Sequence, residues 1–206
     1  MTPRWGIIAV LTNGFTMAPR LFLLLASLAA PQLFAAPAEQ LVAAARTQIG
    51  VTLRYDGSYQ RIAYPDGDVP LDRGVCTDVV VRAYRALGVD LQERVHEDMR
   101  AAWKAYPANW GMKGPDRNID HRRVPNLAVF FGRHGETVKP STKAADYRAG
   151  DIVTWRLPQG LPHIGIVADQ VSPGGTPLVI HNIGAGTQLE DVLFDFPITG
   201  HYRYRP

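Results

Sequence analysis

The only cysteine of this 206-residue chain, Cys76, follows a glycine-containing turn and opens a predicted helix in the segment RGVCTD, residues 73–78. A helix start favours a thiolate, because unpaired N–H groups and the positive end of the helix dipole face the sulfur. We therefore expect the pKa of Cys76 to lie below the value of about 8.5 for a free thiol. Such a thiol can act as a nucleophile, and the alternative is a small buried side chain.

Two of the six histidines lie at the ends of neighbouring predicted strands. His163 opens a strand after a loop rich in proline and glycine, and His181 ends the next strand. If residues 172–176 join these strands as a hairpin, both imidazoles lie at one edge of the sheet. This placement permits a Cys–His–His relay, in which one imidazole moves the proton of Cys76 and the other fixes the orientation of the first.

A thiol that attacks a carbonyl group also needs hydrogen-bond donors nearby for the oxyanion that forms. The backbone N–H of Cys76 is one candidate. Tyr55 and Gln60, in the loop that precedes Cys76, are the candidate side-chain donors. Asp78, two residues after Cys76, is expected to hold a loop arginine such as Arg73, either beside the substrate or as a structural salt bridge.

Two further groups of polar residues are interpreted as solvated. The run HRR at residues 121–123 could contact an anionic substrate, but an exposed helix start is the simpler interpretation. His96 lies beside two acidic residues on a charged face of a predicted helix, and we expect it to be exposed.

Periodicity and turn residues predict helices first and strands later. The predicted helices cover residues 37–49, 76–87, 90–106 and 124–133, and the predicted strands cover residues 152–157, 164–168, 178–182, 192–196 and 202–204. This order indicates an α+β architecture in which the Cys76 helix packs on a C-terminal antiparallel sheet.

The first 36 residues contain the pattern of a secretory signal. From Met17 the chain has a short basic start, an apolar stretch over residues 21–30 and then small residues. The apolar stretch is shorter than the roughly 20 residues of a bilayer span, so the sequence predicts cleavage rather than a permanent membrane helix. We assign residues 1–35 to a signal peptide, with Met17 as an alternative start, and residues 36–206 to one domain that is exported to the periplasm or secreted.

Composition narrows the classes of protein. The chain is 46% apolar and 20% charged, as in an ordinary globular domain, and one cysteine excludes a disulfide framework or a cysteine-rich metal site. Of 22 basic residues against 19 acidic ones, Arg4 and Arg20 lie in the predicted leader. The remainder is close to neutral, which gives little electrostatic basis for binding nucleic acid.

The order of these motifs resembles that of the bacterial NlpC-type, papain-like cell-wall cysteine peptidases. Residues 146–155 (DYRAGDIVTW) are similar to the strand signature of that family, residues 161–167 (LPHIGIV) to its histidine strand, and residues 179–182 (VIHN) to the strand that follows. Val75 and Thr77, beside Cys76, depart from the usual residues of that family. The resemblance therefore indicates a diverged, exported branch.

The resemblance implies a papain-like NlpC-type fold with Cys76 as nucleophile, His163 as general base and His181 as the orienting residue, for which Asn182 is the alternative. It implies an exported hydrolase that cleaves an amide bond of peptidoglycan, or of another peptide, through an acyl-thioester and without a cofactor. Two alternatives stay open. Cys76 and the two histidines could ligate zinc, or the domain could be a non-catalytic module that binds the cell wall or a partner.

Overall fold

A computed structural model describes residues 1–3, 6 and 37–205 of the chain. The predicted signal peptide thus falls almost entirely outside the described residues. The chain divides into two units, Met1–Leu33 and Phe34–Pro206, and every element described below lies in the second. Within the described residues, no helix has the length and hydropathy needed to cross a bilayer.

The helical half precedes the sheet along the chain. Its α-helices are α1 (Pro37–Arg46), α2 (Cys76–Ala86), α3 (Leu91–Ala101) and α4 (Val124–His134). Helix α2 begins at Cys76 because the Asp78 carboxylate accepts a hydrogen bond at 2.7 Å from the backbone N–H of Val75, the residue before the helix. Asp90 caps α3 as its sequence position predicts, accepting a hydrogen bond from the backbone N–H of Gln92 at 3.0 Å.

The strands form one six-stranded antiparallel sheet and a separate short pair. The short parallel pair is β1 (Arg54–Tyr55) and β2 (Arg73–Gly74), and the sheet, in the order β3-β8-β4-β5-β6-β7, is built from β3 (Glu136–Val138), β4 (Ile152–Arg156), β5 (Pro162–Val171), β6 (Pro177–His181), β7 (Gln188–Glu190) and β8 (Ile198–Arg203). Because β1 pairs with β2 directly before α2, the loop that carries Tyr55 is attached beside Cys76.

Helix α2 lies in the main core, where it packs against α1 and against β5 of the sheet. Its side chains Val80 and Tyr84 are fully buried, and on the sheet side they share a core cluster with Ile164 and Ile166 of β5. Burial of this apolar surface fixes α2 against β5. The described residues therefore form a mixed α/β structure, with helices packed on an antiparallel sheet, which agrees with the predicted class at that level.

The predicted hairpin between the two histidines is present. Residues 172–176 join β5 to β6, and Ile166 pairs with Ile180, which brings Gly165 opposite His181. A Cβ atom at Gly165 would lie 2.7 Å from a methyl group of Val179 and 3.1 Å from the Cβ of His181. Glycine is therefore required here for β6 to approach β5 and deliver His181 to the site.

One strand prediction is wrong. Residues 192–196 form a turn, in which the N–H of Asp195 donates to the carbonyl of Val192, and the strands on either side are β7 and β8. The reason is burial: Leu193 is fully buried in a second core cluster, and its carbonyl accepts a hydrogen bond at 2.9 Å from the indole of Trp155. The predicted helix over residues 90–106 also ends earlier, at Ala101, and is followed by a short 3₁₀ turn.

Candidate active site

Cys76 and His163 line the same cavity. Cys76 is the first residue of α2, and His163 is the second residue of β5. The first residues of the helix and of the strand therefore meet at this cavity. The cavity has a volume of about 590 Å³. Its walls include Tyr55, Tyr59, Trp110, Arg122, Arg123 and Leu161.

The two histidines and a glutamate form a hydrogen-bonded row. Nε2 of His163 lies 2.8 Å from Nδ1 of His181, and Nε2 of His181 lies 2.9 Å from a carboxylate oxygen of Glu190. An ionised carboxylate only accepts hydrogen bonds, so Nε2 of His181 carries a proton and its Nδ1 is the acceptor. His163 must then donate from Nε2. In the neutral tautomer its Nδ1 is unprotonated, which leaves that nitrogen free to take a proton from Cys76.

Glu190 was not among the residues singled out from the sequence. It lies on β7, the short edge strand that the sequence did not predict, and its side chain is 44% exposed. No sequence signal marks it, because the triplet Gln188–Glu190 is too short to show strand alternation, and its pairing with the strand that carries His181 is seen only in the fold. Its carboxylate fixes the tautomer of His181 and, through it, that of His163.

The environment of Cys76 corrects one expectation. Its side chain is only 3% exposed, and burial raises the pKa of the thiol to about 12. Backbone N–H groups act in the opposite direction, those of Thr77 and Cys76 at the helix start, as predicted, and that of Ile164 on β5. They do not outweigh the cost of burying a thiolate. The resting sulfur is therefore a thiol rather than the thiolate expected from the sequence.

His163 is also neutral in the resting site. Burial, and then the neighbouring imidazole of His181, lower the pKa of His163 to about 3. The indole of Trp155 lies against this imidazole, with ring centroids 5.8 Å apart. Burial also lowers the pKa of His181, although Glu190 opposes that change. The thiol and the imidazole are thus both neutral, and Nδ1 of His163 is the nitrogen able to accept a proton.

Of the two candidate side-chain donors, Tyr55 lies at the site and Gln60 does not. The Tyr55 side chain lines the cavity beside Cys76, and burial together with the nearby sulfur and Asp78 raises the pKa of Tyr55 to about 12. The hydroxyl therefore keeps its proton and can donate a hydrogen bond to an oxyanion. Gln60 lies in the same loop but is not among the described residues that line the cavity.

Asp78 holds an arginine, although not the one expected. Its carboxylate accepts hydrogen bonds at 2.9 and 3.0 Å from Arg122, and both side chains are almost completely buried. Arg73 pairs instead with Asp72 and Asp56. Arg122 lies 44 residues after Asp78 in the sequence, and the fold brings the two together at the N-terminus of α2. No local sequence signal indicates this contact.

Arg122 also fixes the loop that carries Tyr55. Its guanidinium donates to the backbone carbonyls of Asp56 and Ser58 at 3.0 and 3.1 Å. Since the same side chain binds Asp78 in the first turn of α2, it ties the tyrosine loop to the helix that carries the nucleophile. Arg122 is thus a structural residue beneath the cavity.

The interpretation of residues 121–123 as a solvated helix start is wrong for two of the three. His121 and Arg122 are 2% and 6% exposed, because the segment is a short 3₁₀ turn packed under α3 and α4. Arg123 alone is partly exposed. His96 also differs from expectation: it is largely buried, and its Nδ1 lies 3.1 Å from a carboxylate oxygen of Asp120.

Asn182 does not contact His163. Its side-chain amide donates to the carbonyl of Gly74 at 3.1 Å and accepts from the backbone N–H of Gly184 at 3.1 Å. These bonds attach the end of β6 to the turn before Cys76. The orienting position next to His163 is therefore occupied by His181, and Asn182 has a structural role.

The described residues do not form a zinc site. Among them, no group of three or more His, Cys, Asp or Glu side chains is arranged to hold a metal ion. In particular, the facing nitrogens of His163 and His181 are hydrogen-bonded to one another rather than directed at a common point. The arrangement can move a proton between a sulfur atom and an imidazole.

Comparison with known proteins gives a family and one curated relative. The chain belongs to the family described as "Domain of unknown function (DUF1287)", whose model matches residues 42–204. It is 60% identical over 160 residues to a protein of Escherichia coli (strain K12) with the name "Uncharacterized protein YijF", and the match covers 78% of each chain.

Two solved structures are similar to this chain at low sequence identity. They are NlpC1 and NlpC2 from Trichomonas vaginalis, with TM-scores of 0.47 and 0.47 and identities of 19% and 17%. The matches cover 84% and 85% of this chain, which spans about half the length of the two solved chains, 46% and 49%.

Proposed function

We propose that this protein is an exported cysteine hydrolase that cleaves an amide bond in peptidoglycan peptides. The observation that carries the proposal is the row Cys76, His163, His181 and Glu190, in which the sulfur and the first imidazole share a cavity and each following polar group is within 2.9 Å of the next. The row supplies a nucleophile, a base with a defined tautomer and an orienting group, which are the parts of a cysteine hydrolase.

The first chemical step forms the acyl-thioester. Sγ of Cys76 attacks the carbonyl carbon of the amide while Nδ1 of His163 takes the thiol proton. The charge that develops on the carbonyl oxygen is stabilised by the Tyr55 hydroxyl and the backbone N–H of Cys76. When the tetrahedral intermediate collapses, the C–N bond breaks, and His163 returns the proton to the leaving amine.

The second step regenerates the thiol. A water molecule attacks the thioester carbonyl, and Nδ1 of His163 takes one of its protons. The C–S bond then breaks, the carboxylic acid leaves, and the sulfur of Cys76 recovers a proton from His163. His181 and Glu190 hold the imidazole in place in both steps and stabilise the positive charge that His163 carries while it holds the proton within each step.

Peptidoglycan is proposed as the substrate because of the resemblance to NlpC-type cell-wall peptidases at the strand signature and the two histidine strands. Export is proposed from the signal pattern in residues 17–36. The cavity, with a volume of about 590 Å³ and aromatic walls, has room for a short peptide.

The test is incubation of the purified protein with defined muropeptides, with product masses read by mass spectrometry. We expect two fragments whose summed mass exceeds the substrate by one water, and no fragments from the matched Cys76→Ala protein. Full cleavage by Cys76→Ala would overturn the nucleophile assignment. Cleavage of other peptides but of no muropeptide would overturn the substrate while leaving the chemistry intact.

A further inference from the structure

Arg123 is the cationic side chain of the cavity that has no acidic partner. Its guanidinium lies 4.6 Å from the centroid of the Trp110 ring and contacts the sulfur of Met112, and no described carboxylate lies within ion-pair distance of it. Its neighbour Arg122 also lines the cavity, but Asp78 neutralises that charge. Of the two adjacent arginines, Arg123 is therefore the one whose positive charge is available to a ligand.

Trp110 holds Arg123 in a defined position. The tryptophan is 59% exposed at the mouth of the cavity, where a large apolar ring gains little from burial. Its backbone has φ of +57°, a left-handed conformation that residues with large side chains rarely adopt. Strained residues of this kind concentrate at ligand clamps. Nη1 of the guanidinium contacts the sulfur of Met112, and the contact with the ring leaves the edge formed by Nε and Nη2 free to bind an anion.

The charges around Arg123 leave that edge available. None of the described residues that line the cavity is Asp or Glu. Arg123 acts on Asp116 at longer range, without an ion pair: burial raises the pKa of this carboxyl, but hydrogen bonds from Asn118 and Tyr59, and then the charge of Arg123, lower it overall. Asp116 accepts hydrogen bonds from the Tyr59 hydroxyl at 3.0 Å and from the backbone N–H of Asn118 at 2.9 Å, so its acceptor positions are largely used.

Building on the proposed function, we propose that Arg123, stacked on Trp110 at the mouth of the Cys76 cavity, binds a carboxylate group of the substrate. A guanidinium edge matches a carboxylate through two parallel N–H···O bonds, and this pairing selects an acidic peptide over the neutral amide of the same shape. The peptide that this cavity accepts thus carries a free carboxylate near the bond to be cleaved.

The first test measures binding without turnover. Calorimetry on the Cys76→Ala protein compares a synthetic peptidoglycan stem peptide that has a free carboxylate on its acidic residue with the same peptide as the carboxamide. We expect the acid to bind about tenfold more tightly, and Cys76→Ala/Arg123→Gln to remove that preference. The matched control is Cys76→Ala/Arg117→Gln, because Arg117 is exposed, lies over Tyr64 and does not line the cavity. An acid preference that survives Arg123→Gln, or that is absent from Cys76→Ala, would contradict the proposal.

A second test does not depend on hydrolysis or on the identity of the peptide. The rate of alkylation of Cys76 by iodoacetate is divided by the rate with iodoacetamide, and the same ratio is measured for N-acetylcysteine. We expect the protein ratio to exceed that of the free thiol and to fall at least about threefold in Arg123→Gln, with no change in Arg117→Gln. An identical rate ratio in the unmodified protein and in Arg123→Gln would overturn the anion site. If the ratio falls in Arg123→Gln as expected but the unmodified protein cleaves no muropeptide, only the proposed hydrolase function is overturned.

Discussion

His163 Nε2 and His181 Nδ1 lie 2.8 Å apart, and the proton between them belongs to His163 because Glu190 holds the other side of His181. Glu190, on the edge strand β7, therefore sets the orientation of His163 through its hydrogen bond with His181. When His163 accepts a proton at Nδ1, both of its nitrogens are protonated and the charge is shared with His181 and Glu190. The row thus stabilises the form of His163 that exists only during the reaction.

Substitution of Glu190 tests the origin of this tautomer. In Glu190→Gln the amide can either donate to or accept from His181, so the preferred tautomer is lost. We expect kcat to fall about tenfold with little change in KM. The loss should stay well below the roughly 10⁴-fold cost of removing a buried orienting carboxylate, because Glu190 is 44% exposed and water can replace it. An unchanged kcat would show that the tautomer is set without Glu190. Gln188→Ala, on the same strand, is the control.

Replacement of Tyr55 by phenylalanine tests the oxyanion donor. The Tyr55 side chain lines the cavity beside Cys76, where its hydroxyl can donate a hydrogen bond to the substrate oxygen as charge develops there. Removing one such donor costs about 10²-fold in kcat, and KM should change little because the bond strengthens in the transition state. Tyr59→Phe serves as the control, since Tyr59 lines the cavity but bonds to Asp116. Equal losses in the two variants would contradict the assignment.

The protonation state of Cys76 is tested by alkylation with iodoacetamide across pH. Burial raises the pKa of the thiol to about 12 and lowers that of His163 to about 3, so both groups are neutral at pH 7. The alkylation rate should rise with pH and show no inflection below about 8.5, the value of a free thiol. An inflection near 4, as in cysteine hydrolases with a preformed thiolate–imidazolium pair, would contradict the neutral resting state.

Buried histidines also make the fold sensitive to acid. The pKa values of His121 and His163 are lowered by burial to about 3, below the value of 6.5 that they have in the unfolded chain. The unfolded state therefore binds more protons between these limits, and the free energy of unfolding is highest above pH 6.5 and falls as pH decreases toward 3. Each such histidine contributes a slope of about 1.4 kcal/mol per pH unit.

The measurement is urea unfolding between pH 4.5 and 7. His121→Leu, which fills the same buried space without titrating, should remove about one histidine's share of the slope. A slope identical to that of the unmodified protein would show that His121 is not neutral in the folded chain.

The parts of the site that sequence reasoning could place are those with local signals. Cys76 follows a glycine turn at a helix start. His163 and His181 lie at the ends of two β-rich runs that a short loop with proline and glycine separates, so a hairpin between them could be inferred. The side-chain donor for the oxyanion could be narrowed to Tyr55 or Gln60, because both lie in the loop that precedes Cys76.

The parts that could not be predicted depend on distant contacts or on burial. Arg122 reaches Asp78 from a separate segment, and no pattern near either residue indicates the pair. Glu190 lies on a three-residue edge strand, too short to show alternation, while the apolar run at residues 192–196 that suggested a strand is a turn that buries Leu193. The pKa of Cys76 depends on how deeply the folded chain covers it, which the helix position alone does not report.

Turnover of a cleavable peptide by His163 and His181 variants tests the central claim most directly, with folding checked by circular dichroism. His163→Ala should lose at least about 10³-fold in kcat, because no other group can move the proton. His181→Ala should lose about 10²-fold, and His181→Asn or His181→Gln less, because these side chains keep a hydrogen-bonding group beside the imidazole. If His163→Ala stays active while His181→Ala is inactive, the two roles are exchanged. If both stay active, the Cys–His–His relay is wrong.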